Sequence, residues 1–597
     1  MKKRNIKYKL RFMVITLLIG LTMVSCEKYL DKAPASIITE KDAFVNFNSF
    51  QGFIEVLYNA AFDYKDWGYQ TWTTQSYPYN YGLADDILET ATQDVDLGNY
   101  WTNYFQWSIN WTSIRRANLG LANLNLLTDA TQEQKDFIKG QALFWRGWCH
   151  FELMRNWGGM PYLDTLISPT DKIDRARLTY KECALKAAKD FQEAANLLPL
   201  DWDKTATGQA TYGNNQPRIN KIHALSYLGK DLLYAASPMM NEASTGNATF
   251  DADLCKQAAA AFGQVLKLCD QTQRYKLLPW SNWSDNFYVK GNRDIVMNGG
   301  TEAIMMPKSY NSSSSWPNSI AGSQVWAPGT NYNMSNPTNL SITHNYAKNY
   351  GMANGLPIND PASGYNPLDP WTGREPRFYK DVVIDGDEIA PVAAAGLNRY
   401  ARLFNGSSPQ RSLASASGNV TGYYFKRYWW LGCDSWQNQF GNQTAYLPFL
   451  RLADIYLMYS EACLQGYGSA AGSDPAYGMT AEQALNVIRN RAQLPNISSS
   501  YTSTMEKFMG EIIRERAVEF SMEALARWYD LRRWNLNADP KYLNKTAIDF
   551  DRGLDGKPIN LKERVVITRL ITKKNNWLPI STSQTSLFED FPQNPGW

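Results

Sequence analysis

Five carboxylates crowd one stretch of this chain: Asp85, Asp86, Glu89, Asp94 and Asp96 lie within twelve residues. Two acids on opposite sides of a glycosidic bond can hydrolyse it, one as proton donor and one as base or nucleophile. No further catalytic motif accompanies them. The chain has no Gly-x-Ser-x-Gly elbow, no phosphate-binding glycine loop and no His-Glu-x-x-His. His150, His223 and His344 are scattered, and none of the seven Cys forms a Cys-x-x-Cys pair. A zinc site is therefore not expected. We expect no catalytic residues, no metal and no cofactor.

The same acids serve a binder equally well. Sugars offer apolar C–H faces for stacking and hydroxyls for Asp, Asn and Arg. Two stretches combine those residue types. One carries Trp67, Tyr69, Trp72, Tyr77, Tyr79, Tyr81, Asp85 and Trp101; the other carries Tyr310, Trp316, Trp326 and Tyr332 among Asn and Ser. The whole chain holds 21 Trp and 35 Tyr, more than its core requires. Its formal charge of +3 points to neither nucleic acid nor an acidic membrane. As glycan-binding candidates we take Trp67, Trp72, Tyr77, Tyr79, Tyr81, Asp85, Trp101, Tyr310, Trp316, Trp326 and Tyr332. For any one of these aromatics, packing within its own loop is an equally good reading.

The elements that must hold these loops are helical. Apolar steps of three and four residues mark Asp42 to Ala61, Thr128 to Trp157, Tyr180 to Leu198, Ile219 to Ala236 and Lys256 to Cys269. Such a succession suggests stacked tetratricopeptide-like (TPR-like) pairs forming an α/α superhelix. From Leu278 to about Phe440 the text turns to Asn, Ser, Gly, Pro and aromatics, with short candidate strands at Glu302–Met306, Phe378–Ile384 and Val420–Lys426. Long irregular segments of this kind tend to carry function. Helical periodicity returns at Leu450 and at Ala484–Leu494. The spacing then predicts one unbroken helix from Glu511 to Trp534, with Ile513, Ala517, Phe520, Ala524, Trp528 and Leu531 on one stripe. Beside it Arg516, Glu519, Glu523, Arg527 and Asp530 form a polar stripe, read as ion pairs along the helix surface.

The N-terminus reads as an address. Lys2, Lys3, Arg4, Lys7, Lys9 and Arg11 precede an apolar run, Phe12 to Val24, too short to span a bilayer comfortably. Ser25-Cys26 then looks like a lipobox, with Cys26 acylated as the first mature residue; a plain secretory leader is the alternative. Residues 1–25 are the expected leader. Beyond Cys26 six Cys remain, which permits disulfides without demanding them.

Seven separated blocks resemble the SusD/RagB family of surface lipoproteins. They are Cys26-Glu27-Lys28-Tyr29-Leu30-Asp31-Lys32-Ala33-Pro34, the stretch Lys139 to Thr165 with its Gly158-Gly159-x-Pro161, and Asn354-Gly355-Leu356-Pro357-Ile358 through Arg374-Glu375-Pro376-Arg377-Phe378. The others are Phe449 to Ala462, Ala484 to Leu494, Glu515 to Trp534, and Trp577-Leu578-Pro579-Ile580 through Pro592-Gln593-Asn594-Pro595-Gly596-Trp597. Glu375 stands where the family pattern has Asp. The resemblance implies a mainly α fold of TPR-like pairs with a loop-rich segment and a few short strands. It implies one compact unit with a helical region 26–275 and a C-terminal region 276–597 carrying the insert 278–440. It also implies a non-catalytic glycan binder in the outer membrane, facing the cell surface, with its ligand loops on one face and a SusC-like TonB-dependent transporter as partner. A RagB-like peptide binder and a protein-binding scaffold are the other two readings.

Overall fold

The computed structural model describes residues 43–61, 83–88, 95–100, 105–168, 170–171, 175–290, 302–306, 309–311, 341–389, 399–407, 410–411, 418–427, 443–446, 448–523, 526–587 and 591–597. Its longer helices are Phe47–Glu55 (α1), Phe105–Ala122 (α2), Gln132–Trp157 (α3), Tyr180–Leu197 (α4), Lys221–Ala236 (α5), Pro238–Thr245 (α6), Ala252–Thr272 (α7), Leu452–Tyr467 (α8), Ala481–Arg491 (α9), Met505–Glu519 (α10) and Ala526–Arg533 (α11). Their starts follow from capping chemistry. Thr131, Thr179 and Thr480 each accept a hydrogen bond from the third helical amide, and Gln134, Glu182 or Gln483 reaches back to the capping residue's own amide. Where Asp42–Ala61 predicted one helix, Asn46 interrupts it: its side chain accepts from Ser49 N at 3.0 Å and starts α1 there.

Consecutive helices pack against one another: α2 on α3, α3 on α4, α4 on α5, α5 on α7, and α7 on α8. This is the expected mainly α architecture of TPR-like pairs. The pairing of α7 with α8 spans the loop-rich segment, which therefore leaves and re-enters one continuous stack. Rings fill the seam between α3, α4 and α5. Phe144 meets Tyr227 at 5.7 Å and Trp145 meets Trp148 at 5.4 Å, both edge to face. Glycine closes α3 where the chain must turn against a neighbour. Gly158 has φ 82°, and a Cβ on Gly159 would sit 1.9 Å from the Leu178 carbonyl oxygen. The last carbonyls of α3 are met from far along the chain. Leu578 N donates to Asn156 O at 2.9 Å, and Asn594 Nδ2 donates to Trp157 O at 3.0 Å. Arg177 ties in the same segment, donating to Pro592 O and Asn594 Oδ1.

The strands are short and antiparallel: Ile87–Leu88 (β1) with Ser341–Ile342 (β5), Ala303–Met305 (β3) with Leu450–Arg451 (β9), and Val382–Val383 (β6) with Tyr424–Phe425 (β7). Tyr288–Lys290 (β2) and Ser309–Asn311 (β4) flank Gln443–Tyr446 (β8). A long hairpin, Asn544–Arg552 (β10) with Pro558–Thr568 (β11), completes the set. A second expectation needs correction here. Phe378–Ile384 is not a strand: Pro376–Asp381 forms a helical turn and only β6 is extended. Pro376, at the first helical position, favours that start. The β10–β11 hairpin and helix α2 were not anticipated at all.

The third correction concerns Glu511–Trp534. It is two helices, α10 and α11, parted by a turn at Phe520–Glu523 in which Met522 has φ 59°. The reason is tertiary. Arg427 donates to the carbonyls of Val518 and Glu519, and Arg451 also donates to Glu519 O. These guanidinia take acceptors that an α-helix would offer to its next turn. Nor does the polar stripe lie on the surface: Arg516, Glu519, Glu523, Arg527 and Asp530 are all buried. Glu519, Glu523 and Arg527 pair with distant segments, whereas Arg516 and Asp530 meet each other across the break at 2.8 Å and Asp530 also meets Arg533 one turn on at 2.8 Å. Glu519 accepts from Arg377 at 3.1 Å, Arg451 at 3.1 Å and Arg491 at 2.5 Å. Glu302 bonds Arg451 and meets Arg491 at 3.0 Å, while Arg427 joins Asp381 to Glu523 at 2.6 Å each. Glu375, despite its longer arm, fits: it accepts from Arg377 at 2.8 Å and from Gly351 N at 3.1 Å. The network thus clamps the insert, α8, α9 and α10 together. Cys149, Cys183, Cys255, Cys269 and Cys463 are free and buried.

Candidate functional site

Segments that adjoin the two aromatic-rich stretches in sequence meet at one small piece of sheet. In the β1–β5 pair, Ile87 faces Ile342 and Leu88 faces Ser341, and all four residues are buried. Thr343 reinforces the join: its N–H donates to Asp86 O at 3.0 Å and its hydroxyl to Asp85 O at 2.6 Å. Asn345 donates to Asp85 O at 3.1 Å and, through its side-chain oxygen, accepts from Thr546 N on β10. Residues 83–88 and 341–345, far apart in sequence, are therefore locked edge to edge. The stretches 62–82 and 312–340 join the described fold at this lock, at Leu83 and Ser341.

Asp85 is the centre of the lock and not an exposed sugar ligand. It is 3% exposed and forms a two-pronged pair with Arg527, Oδ1 to Nε at 2.9 Å and Oδ2 to Nη2 at 3.1 Å. Burial alone would raise its carboxyl; the Arg527 charge and hydrogen bonds overcome that and hold it below the ordinary carboxylate value. Arg527 in turn lies over the Tyr346 and Tyr542 rings, 5.6 and 5.0 Å from their centroids. Asp86 is pushed up to about 7, first by burial and then by the neighbouring Asp85 charge. Asp96 is 1% exposed and pairs with Lys545 at 2.8 Å. Among the described residues, the acidic stretch that resembled a hydrolase site is thus buried, with Asp85 and Asp96 neutralised by Arg527 and Lys545.

Of the other candidates, Tyr310 lies in β4, paired with Ala445 of β8. Trp67, Trp72, Tyr77, Tyr79, Tyr81, Trp101, Trp316, Trp326 and Tyr332 lie outside the described residues, as does Cys26. Two concavities were not foreseen. A mainly apolar cleft of about 730 Å³ is lined by Trp107, Trp111, Leu163, Leu166 and Phe591. A polar cavity of about 480 Å³ opens beside the lock, with Asp85, Asn345, Lys348, Lys507, Arg527 and Lys541 in its wall. Neither had a signal in the sequence, because each wall is assembled from segments hundreds of positions apart.

Comparison with known proteins follows this geometry. Residues 298–597 match the model of the SusD family, and residues 28–216 match a family described as starch-binding, associating with the outer membrane. A SusD-like protein of Bacteroides ovatus is 40% identical over 95 residues, 16% of this chain; the chain spans only 15% of the length of that relative. Among solved structures, a SusD-like protein of Bacteroides fragilis superposes with a TM-score of 0.68 at 19% identity, over 95% of this chain and 100% of that one. A laminarin-binding SusD-like protein superposes with a TM-score of 0.56 at 16% identity, over 93% of this chain and 100% of that one.

Proposed function

This chain belongs to the SusD family, and from that premise we propose that it is a non-catalytic binder of oligo- or polysaccharide at the cell surface, anchored through Cys26, which hands its ligand to a SusC-like TonB-dependent transporter. The observation that carries this reading is the β1–β5 lock. It ties the bases of two stretches rich in Trp and Tyr to a rigid, buried frame, as a stacking platform requires. The names of its relatives support a carbohydrate, and the pairing of Asp85 and Asp96 with buried cations supports binding over hydrolysis. The leader 1–25 and the division into 26–275 and 276–597 belong to the same reading.

Trp72→Ala and Trp316→Ala test the platform. Each weakens glycan binding by about 1–3 kcal/mol, the loss expected for a buried aromatic anchor, with the melting temperature unchanged. Calorimetry against a glycan panel and a peptide mixture is the measurement. Normal affinity in both variants would move the site elsewhere, and peptide binding without glycan binding would favour RagB-like uptake.

The anchor and the partner are tested together in the native membrane. Among the described residues no helix is long and apolar enough to cross a bilayer, so ligand transfer inward needs a second protein. Tagged chain extracted in mild detergent brings down a large β-barrel protein in equal amount, and Cys26→Ala releases the chain to the soluble fraction. Continued palmitate labelling of Cys26→Ala, or extraction of the chain alone, would count against this reading.

A further inference from the structure

We propose that the polar cavity beside the lock takes an acidic group of the captured saccharide, a uronate carboxylate or a sulfate ester. This rests on the glycan-binding reading above and narrows its ligand class. The wall of the cavity carries five cations, Lys348, Lys507, Arg514, Arg527 and Lys541, against two carboxylates, Asp85 and Glu511. Both carboxylates are already committed. Asp85 is gripped by Arg527 at 2.9 Å, and Glu511 by Arg514 at 2.5 Å. Lys348 is matched by Glu563, also at 2.5 Å. Two cations are left over. Lys507 and Lys541 are exposed and have no carboxylate within ion-pair distance among the described residues, and Lys541 lies 5.2 Å from the centre of the Tyr542 ring.

An uncompensated pair of ammonium groups at the mouth of a half-enclosed cavity attracts an anion, and the field is stronger in a concave wall than on a flat surface. Neighbouring groups suit a sugar. Asn345 is committed to the lock, but Asn359 and the side-chain oxygen of Asn349 line the same wall, and Tyr501, whose hydroxyl donates to Asp360 at 2.7 Å, offers a ring edge. The lock places this cavity next to Asp85, at the root of the aromatic stretch 62–82. A saccharide entering this cavity meets Lys507 and Lys541 with its charged substituent. The adjoining groove of about 500 Å³ shares Lys541 but also carries Glu506 and Asp539. The cationic excess is thus confined to the side of the lock.

The test is calorimetric, on the purified full-length mature protein. Oligogalacturonate supplies the carboxylate, a sulfated galactan oligosaccharide supplies the sulfate, and laminarin-type glucan and unsulfated galactan oligosaccharides are the neutral counterparts. One acidic probe binds more tightly than its neutral counterpart, and its affinity falls between about 50 mM and about 500 mM salt. The double variant Lys507→Ala, Lys541→Ala binds that probe about tenfold more weakly and loses most of the salt dependence. Lys507→Arg, Lys541→Arg retains both. Neutral oligosaccharides binding as tightly as acidic ones, or an unaffected double variant, would overturn the acidic-ligand inference while leaving glycan capture intact. No binding of any saccharide would take both down.

Discussion

Glu519→Ala lowers the unfolding free energy by about 3–5 kcal/mol, the cost of removing one partner from a buried ion network. Glu519 is 0% exposed, and its carboxylate is shared by Arg377, Arg451 and Arg491. Truncation to Ala leaves three buried guanidinia short of an acceptor and opens a void at the end of α10. Burial by itself would raise this carboxyl; Arg491, Arg451 and Arg377 outweigh it and hold it far below its ordinary 4.5. A group depressed in the folded state contributes stability that is complete above its unfolded value and is lost as pH falls toward its folded value. The gap between wild type and Glu519→Ala is therefore full at neutral pH and narrows below about pH 4.5. Urea titrations at a series of pH values measure it. A gap under about 1 kcal/mol at neutral pH would show that the arginines find other acceptors.

Asp85→Ala is the second large effect, about 3 kcal/mol, because Arg527 keeps its charge in a buried site and loses its counter-ion. The β1–β5 hydrogen bonds do not use the Asp85 carboxylate, so the strands still pair. What fails is the brace between residues 83–88 and α11. Both the melting temperature and glycan affinity fall, and Asp85→Asn, which keeps a hydrogen-bond acceptor, falls less in both. Thermal melts and ligand titrations of the two variants provide the check. Full affinity in a destabilised Asp85→Ala would separate the brace from ligand binding.

Much of the helical frame was legible because its causes are local. Thr131 with Gln134, and Thr179 with Glu182, announce helix starts within four residues, and Gly158-Gly159 announces a stop. The break between α10 and α11 was not legible, since no Gly or Pro lies there; guanidinia from positions 427 and 451 produce it. The β10–β11 hairpin did leave a signal that was passed over: alternation in Thr546–Phe550, a turn with Asp555-Gly556, then Asn560–Ile567. Helix α2 was obscured because Ser, Asn, Thr and Gly interrupt any clean apolar stripe along Phe105–Ala122. Asp85 was singled out as a ligand contact from its neighbours in sequence, and the structure buries it against Arg527. Its partner lies 442 positions away, and no spacing rule reaches that far.

The stitching of the C-terminal segment onto the end of α3 sets a clock on biogenesis. Polypeptides are made from the N-terminus onward, and helical repeats can assemble as they emerge. Here the Asn594–Trp157 bond joins residues 437 positions apart. Until residues 578–594 exist, the carbonyls of Asn156 and Trp157 lack those partners and the stack has an open seam. Contacts of such sequence separation form late, because the loop they close is costly in entropy. Residues through Asn594 must therefore be in place before this seam can close, and until then α3 lacks the bonds from Leu578 and Asn594.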